Sequence, residues 1–142
     1  MPRLSSRTPA LAALARGDSL SVSLYRAPMS LPPIFLRVKL TKDVALGPGK
    51  AALLEHVEQT GSISAAARAM KMSYRRAWLL IDELNTCFRE PIVETAKGGK
   101  GGGGSAVLTP MGVQVMKRFR AMEAKSTKAI KADLEALADH LR

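Results

Sequence analysis

Apolar and polar residues alternate from Ile34 to Leu40, with Leu36, Val38 and Leu40 at one parity and Arg37 and Lys39 at the other. A period of two with one apolar side is the mark of a half-buried strand. The spacing then changes. After Gly47-Pro48-Gly49, Leu53, Leu54 and Val57 form a stripe at helical intervals, with Pro48 suited to the first helical position and Thr60-Gly61 to the stop. Ser62 is a good N-cap for a second helix, in which Ile63, Ala66, Ala67 and Met70 follow i, i+3, i+4, i+7 spacing. A short Lys71-Met72 turn leads to Ser73, the expected cap of a third helix running to about Phe88. Its inward stripe should be Ala77, Ile81, Leu84 and Phe88, flanked by Tyr74 and Trp78.

Two short strand-like runs follow, Ile92–Thr95 and Ala106–Thr109, separated by the glycine-dominated stretch Ala96–Ser105. Thr109 then caps a last long helix, with Pro110 at its first position and Val113, Met116 and Phe119 facing inward. Past the small residues 124–127, Ile130, Leu134, Leu137 and Leu141 continue a 4-3-4 stripe. The expected order is strand, helix, helix, helix, hairpin, helix. The implied fold is mainly α with a small β-sheet, a winged helix-turn-helix with a long C-terminal helix. Three segments are expected: a flexible basic tail over 1–33, the winged domain over 34–121, and a dimerising helix over 122–142.

Composition sharpens the picture. The chain has 142 residues and a formal net charge of +10. Residues 1–45, 46–109 and 110–142 carry excesses of +5, +2 and +3, so the basic character is not confined to one tail. Such a field attracts polyanions, nucleic acid first and acidic membrane second. No apolar run approaches the ~18 residues of a spanning helix, and Ala10–Ala15 is too short for a secretory core, so a cytoplasmic protein with no membrane partner is expected. The single cysteine, Cys87, excludes an internal disulfide and a cysteine-based zinc cluster; its place in a helical stripe suggests a buried thiol.

Two short helices joined by a three- or four-residue turn make a helix-turn-helix, in which Ala66 and Ala67 allow close crossing and Met72 plugs the turn from below. With the inward stripe buried, Ser73, Tyr74, Arg75 and Arg76 project from the N-terminal end of the third helix, the end that reaches base edges in the major groove. Paired arginines can fork onto guanine or grip phosphates, and Arg68 and Lys71 sit where the groove wall would pass. In the glycine hairpin, Lys97 and Lys100 can reach phosphates or the minor groove. Residues 99–104 formally match G-x-G-x-x-G, but the expected strand–helix context of a dinucleotide site is missing, as is the G-K-[ST] ending of a P-loop. Catalytic and metal-binding residues are expected to be none, and no cofactor is implied. His56 and His140 lie on different helices, Asp82, Glu83 and Glu94 form no acid–base pair, and Ser21 and Ser23 have no base beside them.

Residues 62–67 (Ser-Ile-Ser-Ala-Ala-Ala), 72–78 (Met-Ser-Tyr-Arg-Arg-Ala-Trp), 94–104 (Glu-Thr-Ala-Lys-Gly-Gly-Lys-Gly-Gly-Gly-Gly) and Leu108-Thr109-Pro110-Met111-Gly112 together resemble the N-terminal domain of ModE, the molybdate-responsive regulators. The likeness covers roughly residues 36–122. The helix-turn-helix and the Leu-Thr-Pro-x-Gly step also resemble LysR-type regulators, which usually have a much shorter wing. The resemblance implies a dimeric transcriptional regulator that binds double-stranded DNA near molybdate-transport or molybdoenzyme genes. In that family molybdate is held by C-terminal β-barrel domains, so molybdate is not expected to bind this chain alone. Ile130, Leu134, Leu137 and Leu141 are the expected homodimer contacts. The competing expectation is a winged-helix scaffold that binds a protein partner without reading DNA sequence.

Overall fold

The computed structural model describes residues 31–97 and 104–142. Their elements run β1 (Val38–Lys39), β2 (Ala45–Leu46), α1 (Pro48–Thr60), α2 (Ile63–Ala69), α3 (Tyr74–Cys87), β3 (Val93–Ala96), β4 (Ser105–Leu108), α4 (Pro110–Ala129) and α5 (Lys131–Ala138). The fold is mainly α, with the antiparallel β3–β4 pair as the wing stem. The described residues fall into two units, Ile34–Lys131 and a second that includes residues 132–142.

Within Ile34–Lys131, helix ends fall where the capping chemistry puts them. Ser62 Oγ accepts from Ala65 N at 3.1 Å, Ser73 Oγ from Arg76 N at 3.0 Å, and Thr109 Oγ1 from Gly112 N at 2.9 Å. Each satisfies a donor that the first helical turn leaves without a partner. Gly61 closes α1 in the left-handed region at φ 70°, a conformation glycine adopts without a Cβ penalty. The expected strand over Ile34–Leu40 keeps its alternation, Leu36, Val38 and Leu40 being half-buried and Arg37 and Lys39 exposed. Only Val38 and Lys39 pair, however, with Leu46 and Ala45 across a turn in which Thr41 Oγ1 accepts from Asp43 N and Val44 N. That partner strand has no counterpart in the sequence reading.

One core joins these elements. Leu53, Leu54 and Val57 of α1, Ala66 of α2, Ala77 and Leu84 of α3, Ile92 just before β3, and Phe119 of α4 are fully enclosed, with Ile81 nearly so. In α4 the inward residues are Val115, Met116 and Phe119, while Val113 is only half-buried. Cys87 is half-buried rather than buried, because α3 ends there and Phe88 is extended.

Polar contacts fix the helices against one another. Arg120 of α4 forks onto Glu55 of α1, with Nε to Oε2 at 2.9 Å and Nη2 to Oε1 at 2.8 Å, and its Nη1 donates to Glu123 at 2.8 Å. The Arg120 guanidinium bonded to Glu55 holds that carboxyl below its ordinary value, against a smaller opposing push from burial. The stability it contributes is present above the usual carboxylate range and is lost as the pH falls through the lowered value. Both side chains are about one-third exposed, so the share is under about 1 kcal/mol. Lys50 of α1 bridges Ala45 O at 2.7 Å and Glu83 of α3 at 3.0 Å.

The single C-terminal helix expected over 122–142 is two. α4 continues to Ala129, Ile130 turns out of helical geometry at φ −102° and ψ 8°, and α5 ends at Ala138. Leu141 therefore lies past the last helical residue, and the 4-3-4 stripe does not run along one continuous helix. Leu137 and Leu141 are exposed and Ile130 and Leu134 half-buried.

Candidate nucleic-acid interface

The N-terminal half of α3 stands clear of the core. Of residues 73–80, only Ala77 is buried and Leu80 is half-buried; Ser73, Tyr74, Arg75, Arg76, Trp78 and Leu79 are exposed. Farther along, Ile81 and Leu84 return to the core. The helix is thus anchored by its C-terminal half and by one small residue near its start. This corrects the expected placing of Trp78 beside the buried stripe: its side chain is 39% exposed and Tyr74 is 54% exposed. The bulk of the Trp78 ring suggested core, but at this end of α3 only Ala77 is enclosed, with Leu80 half-buried against it.

The turn before α3 is tightly specified. Met72 N donates to Ala67 O at 3.0 Å and Lys71 N to Arg68 O at 3.1 Å, the paired bonds of a Schellman ending. Lys71 takes the left-handed position at φ 57°, the only non-glycine to do so among the described residues. Glycine would sit there with less strain. Met72 packs half-buried against the core, as expected of the plug. Lys71→Gly should therefore raise stability by about 0.5–1 kcal/mol. If the ammonium meets a phosphate, the same change should make the salt slope of DNA binding shallower by about 1. Chemical melts and salt titrations of the variant check the two halves separately; a stabilised variant with unaltered DNA binding would leave Lys71 no role at the interface.

The wing is pinned to the same helices. Val93 pairs with Leu108 and Ala96 with Ser105, and the β4 residue Ala106 donates its N–H to Gly61 O, in the α1–α2 turn, at 2.8 Å. At the wing's base, Asn85 of α3 accepts from Ile92 N at 2.7 Å and Val93 N at 3.2 Å and donates to Val93 O at 3.3 Å. Thr109 Oγ1 donates to Pro91 O at 2.6 Å while its own N–H donates to Ile92 O at 3.0 Å. Asn85 was absent from the sequence reading. Its partners lie seven and eight residues on, beyond any local capping pattern.

Arg68, Lys71, Arg75, Arg76 and Lys97 are all exposed, and no carboxylate among the described residues pairs with them. The cations that hold the fold, Lys50 and Arg120, are by contrast both paired. Lys100 lies outside the described residues. Between α3 and the wing stem runs an open cleft of about 490 Å³, bordered by Tyr74, Trp78, Lys97 and the N-terminal end of α2. Among the described residues, no group of histidine, cysteine and carboxylate side chains is placed to hold a metal ion. No helix of the described residues is long and apolar enough to cross a membrane.

Comparison with known proteins bears on this surface. The chain is 40% identical over 96 residues to transcriptional regulator ModE of Yersinia pestis, covering 68% of this chain and 36% of the relative. It is 38% identical over 96 residues to the DNA-binding transcriptional dual regulator ModE of Escherichia coli K12, with the same coverage. The matched stretch corresponds to the N-terminal region of ModE. Molybdenum-pterin-binding protein MopB of Rhodobacter capsulatus is 44% identical over 85 residues, 60% of this chain and 31% of the relative. The chain thus spans about a third of the length of the relatives it matches. No family model matches it. Within the Ile34–Lys131 unit, the exposed half of α3, the start of α2 and the wing stem border the same cleft.

Proposed function

We propose that this chain is the DNA-binding part of a transcriptional regulator of genes for molybdenum uptake and use. Double-stranded DNA is the partner. The N-terminal half of α3 enters the major groove, Arg75 and Arg76 reach base edges or phosphates, and Arg68, Lys71, Lys97 and Lys100 contact the flanking backbone. The protein acts as a homodimer joined through Ile130, Leu134, Leu137 and Leu141, which sets two copies of α3 about one DNA turn, ~34 Å, apart. The observation that carries the reading is the exposure of Arg75 and Arg76, free of any described carboxylate, on a helix half that meets the core only through Ala77 and part of Leu80. Support comes also from the ModE relatives, which are transcriptional regulators.

Selection from a library of random duplexes tests it. The expected outcome is enrichment of an inverted-repeat site. A library that stays random through repeated rounds would favour a protein-binding scaffold instead.

A further inference from the structure

The cleft between α3 and the wing combines two chemistries that the arginine face does not use. Tyr74 and Trp78 of α3 border it with exposed rings. They are spaced i, i+4, so both lie on the same side of the helix one turn apart. Thr95, Lys97 and Ser105 border it from the wing and bring two hydroxyls and an ammonium. None of its described lining residues is Asp or Glu.

An occupant must therefore present anionic oxygens together with an apolar surface. A DNA strand does. Its phosphates meet Lys97 and the hydroxyls, and the apolar group its base pairs display in the major groove is the C5-methyl of thymine. We infer that Trp78 and Tyr74 read thymine, packing its methyl group against their rings while the wing stem holds the phosphates of the same strand. This rests on the DNA-binding reading above. It adds apolar recognition to a surface whose basic residues alone would favour guanine or bare phosphate. It also accounts for two large rings left exposed on the half of α3 that encloses only Ala77 and part of Leu80.

The test uses the full chain and the duplex obtained by selection. Each thymine is replaced in turn by deoxyuridine, which deletes one methyl group and leaves every hydrogen-bonding atom in place. At one or two positions per half-site the unaltered protein should lose affinity by about fourfold, the loss expected for one buried methyl. Trp78→Ala or Tyr74→Ala should weaken binding to the thymine duplex and make it indifferent to deoxyuridine at those positions. The substitution series on the unaltered protein stands by itself should either variant fold poorly. Unchanged affinity at every deoxyuridine position would overturn the inference, as would variants that remain as sensitive to the methyl as the unaltered protein. DNA binding itself would survive both results. Failure to enrich any duplex would instead sink the DNA-binding reading and this inference with it.

Discussion

Gly112→Ala should destabilise the protein by about 3 kcal/mol, in the range of severe overpacking. The sign is the informative part, because alanine inside a helix is ordinarily better than glycine by about 1 kcal/mol. Here a Cβ would stand 2.1 Å from Ile92 O and 3.0 Å from the Ile92 carbonyl carbon. Backbone cannot swing aside as a side-chain tip can, so α4 would have to retreat from the strand entry. That movement would stretch the Thr109 Oγ1 bond to Pro91 O, 2.6 Å, and the Thr109 N bond to Ile92 O, 3.0 Å. The Leu108-Thr109-Pro110-Met111-Gly112 step thus has a physical content: Thr109 caps α4 and ties it to the wing base, Pro110 starts the helix, and Gly112 permits the approach. A melting temperature lowered by more than about 10 °C is expected for a domain of this size. A variant as stable as the unaltered protein would show that the close contact relaxes at no cost.

The second large effect concerns binding rather than folding. Changing Arg75 and Arg76 together to alanine should weaken binding to the selected site by about 3 kcal/mol, roughly a hundredfold. Melting should scarcely move, since both side chains are exposed and pair with no described carboxylate. The Ser73 cap is unaffected, because it uses the backbone N–H of Arg76. Anisotropy titrations alongside thermal melts separate the two quantities. Equal affinity in the double variant would place the reading face elsewhere on the molecule.

Helix starts were legible because Ser62, Ser73 and Thr109 are short polar residues just ahead of helical stripes, and the structure uses all three side chains as caps. The wing was legible from two apolar runs flanking glycines, each found within one residue of its expected bounds. What escaped the sequence depends on distant partners or on missing punctuation. Glu55 and Arg120 meet across 65 positions, and Asn85 reaches around the turn that follows its own helix. The break at Ile130 falls among Ala129, Ile130 and Lys131, with neither glycine nor proline to announce it. Trp78 misled for a different reason. Large rings in a helical stripe usually pack inward, and nothing local reveals that the core at this end of α3 takes Ala77 and part of Leu80 and leaves the ring of Trp78 exposed.

The exposed cations of α2, α3 and the wing give the most direct test of the central claim. The affinity of the full chain for its selected duplex should be measured across a series of salt concentrations. Counterion release contributes a slope of about −0.9 for each phosphate neutralised, so log K against log salt should fall with a slope near −5 or steeper. A flat response would contradict DNA binding through this face.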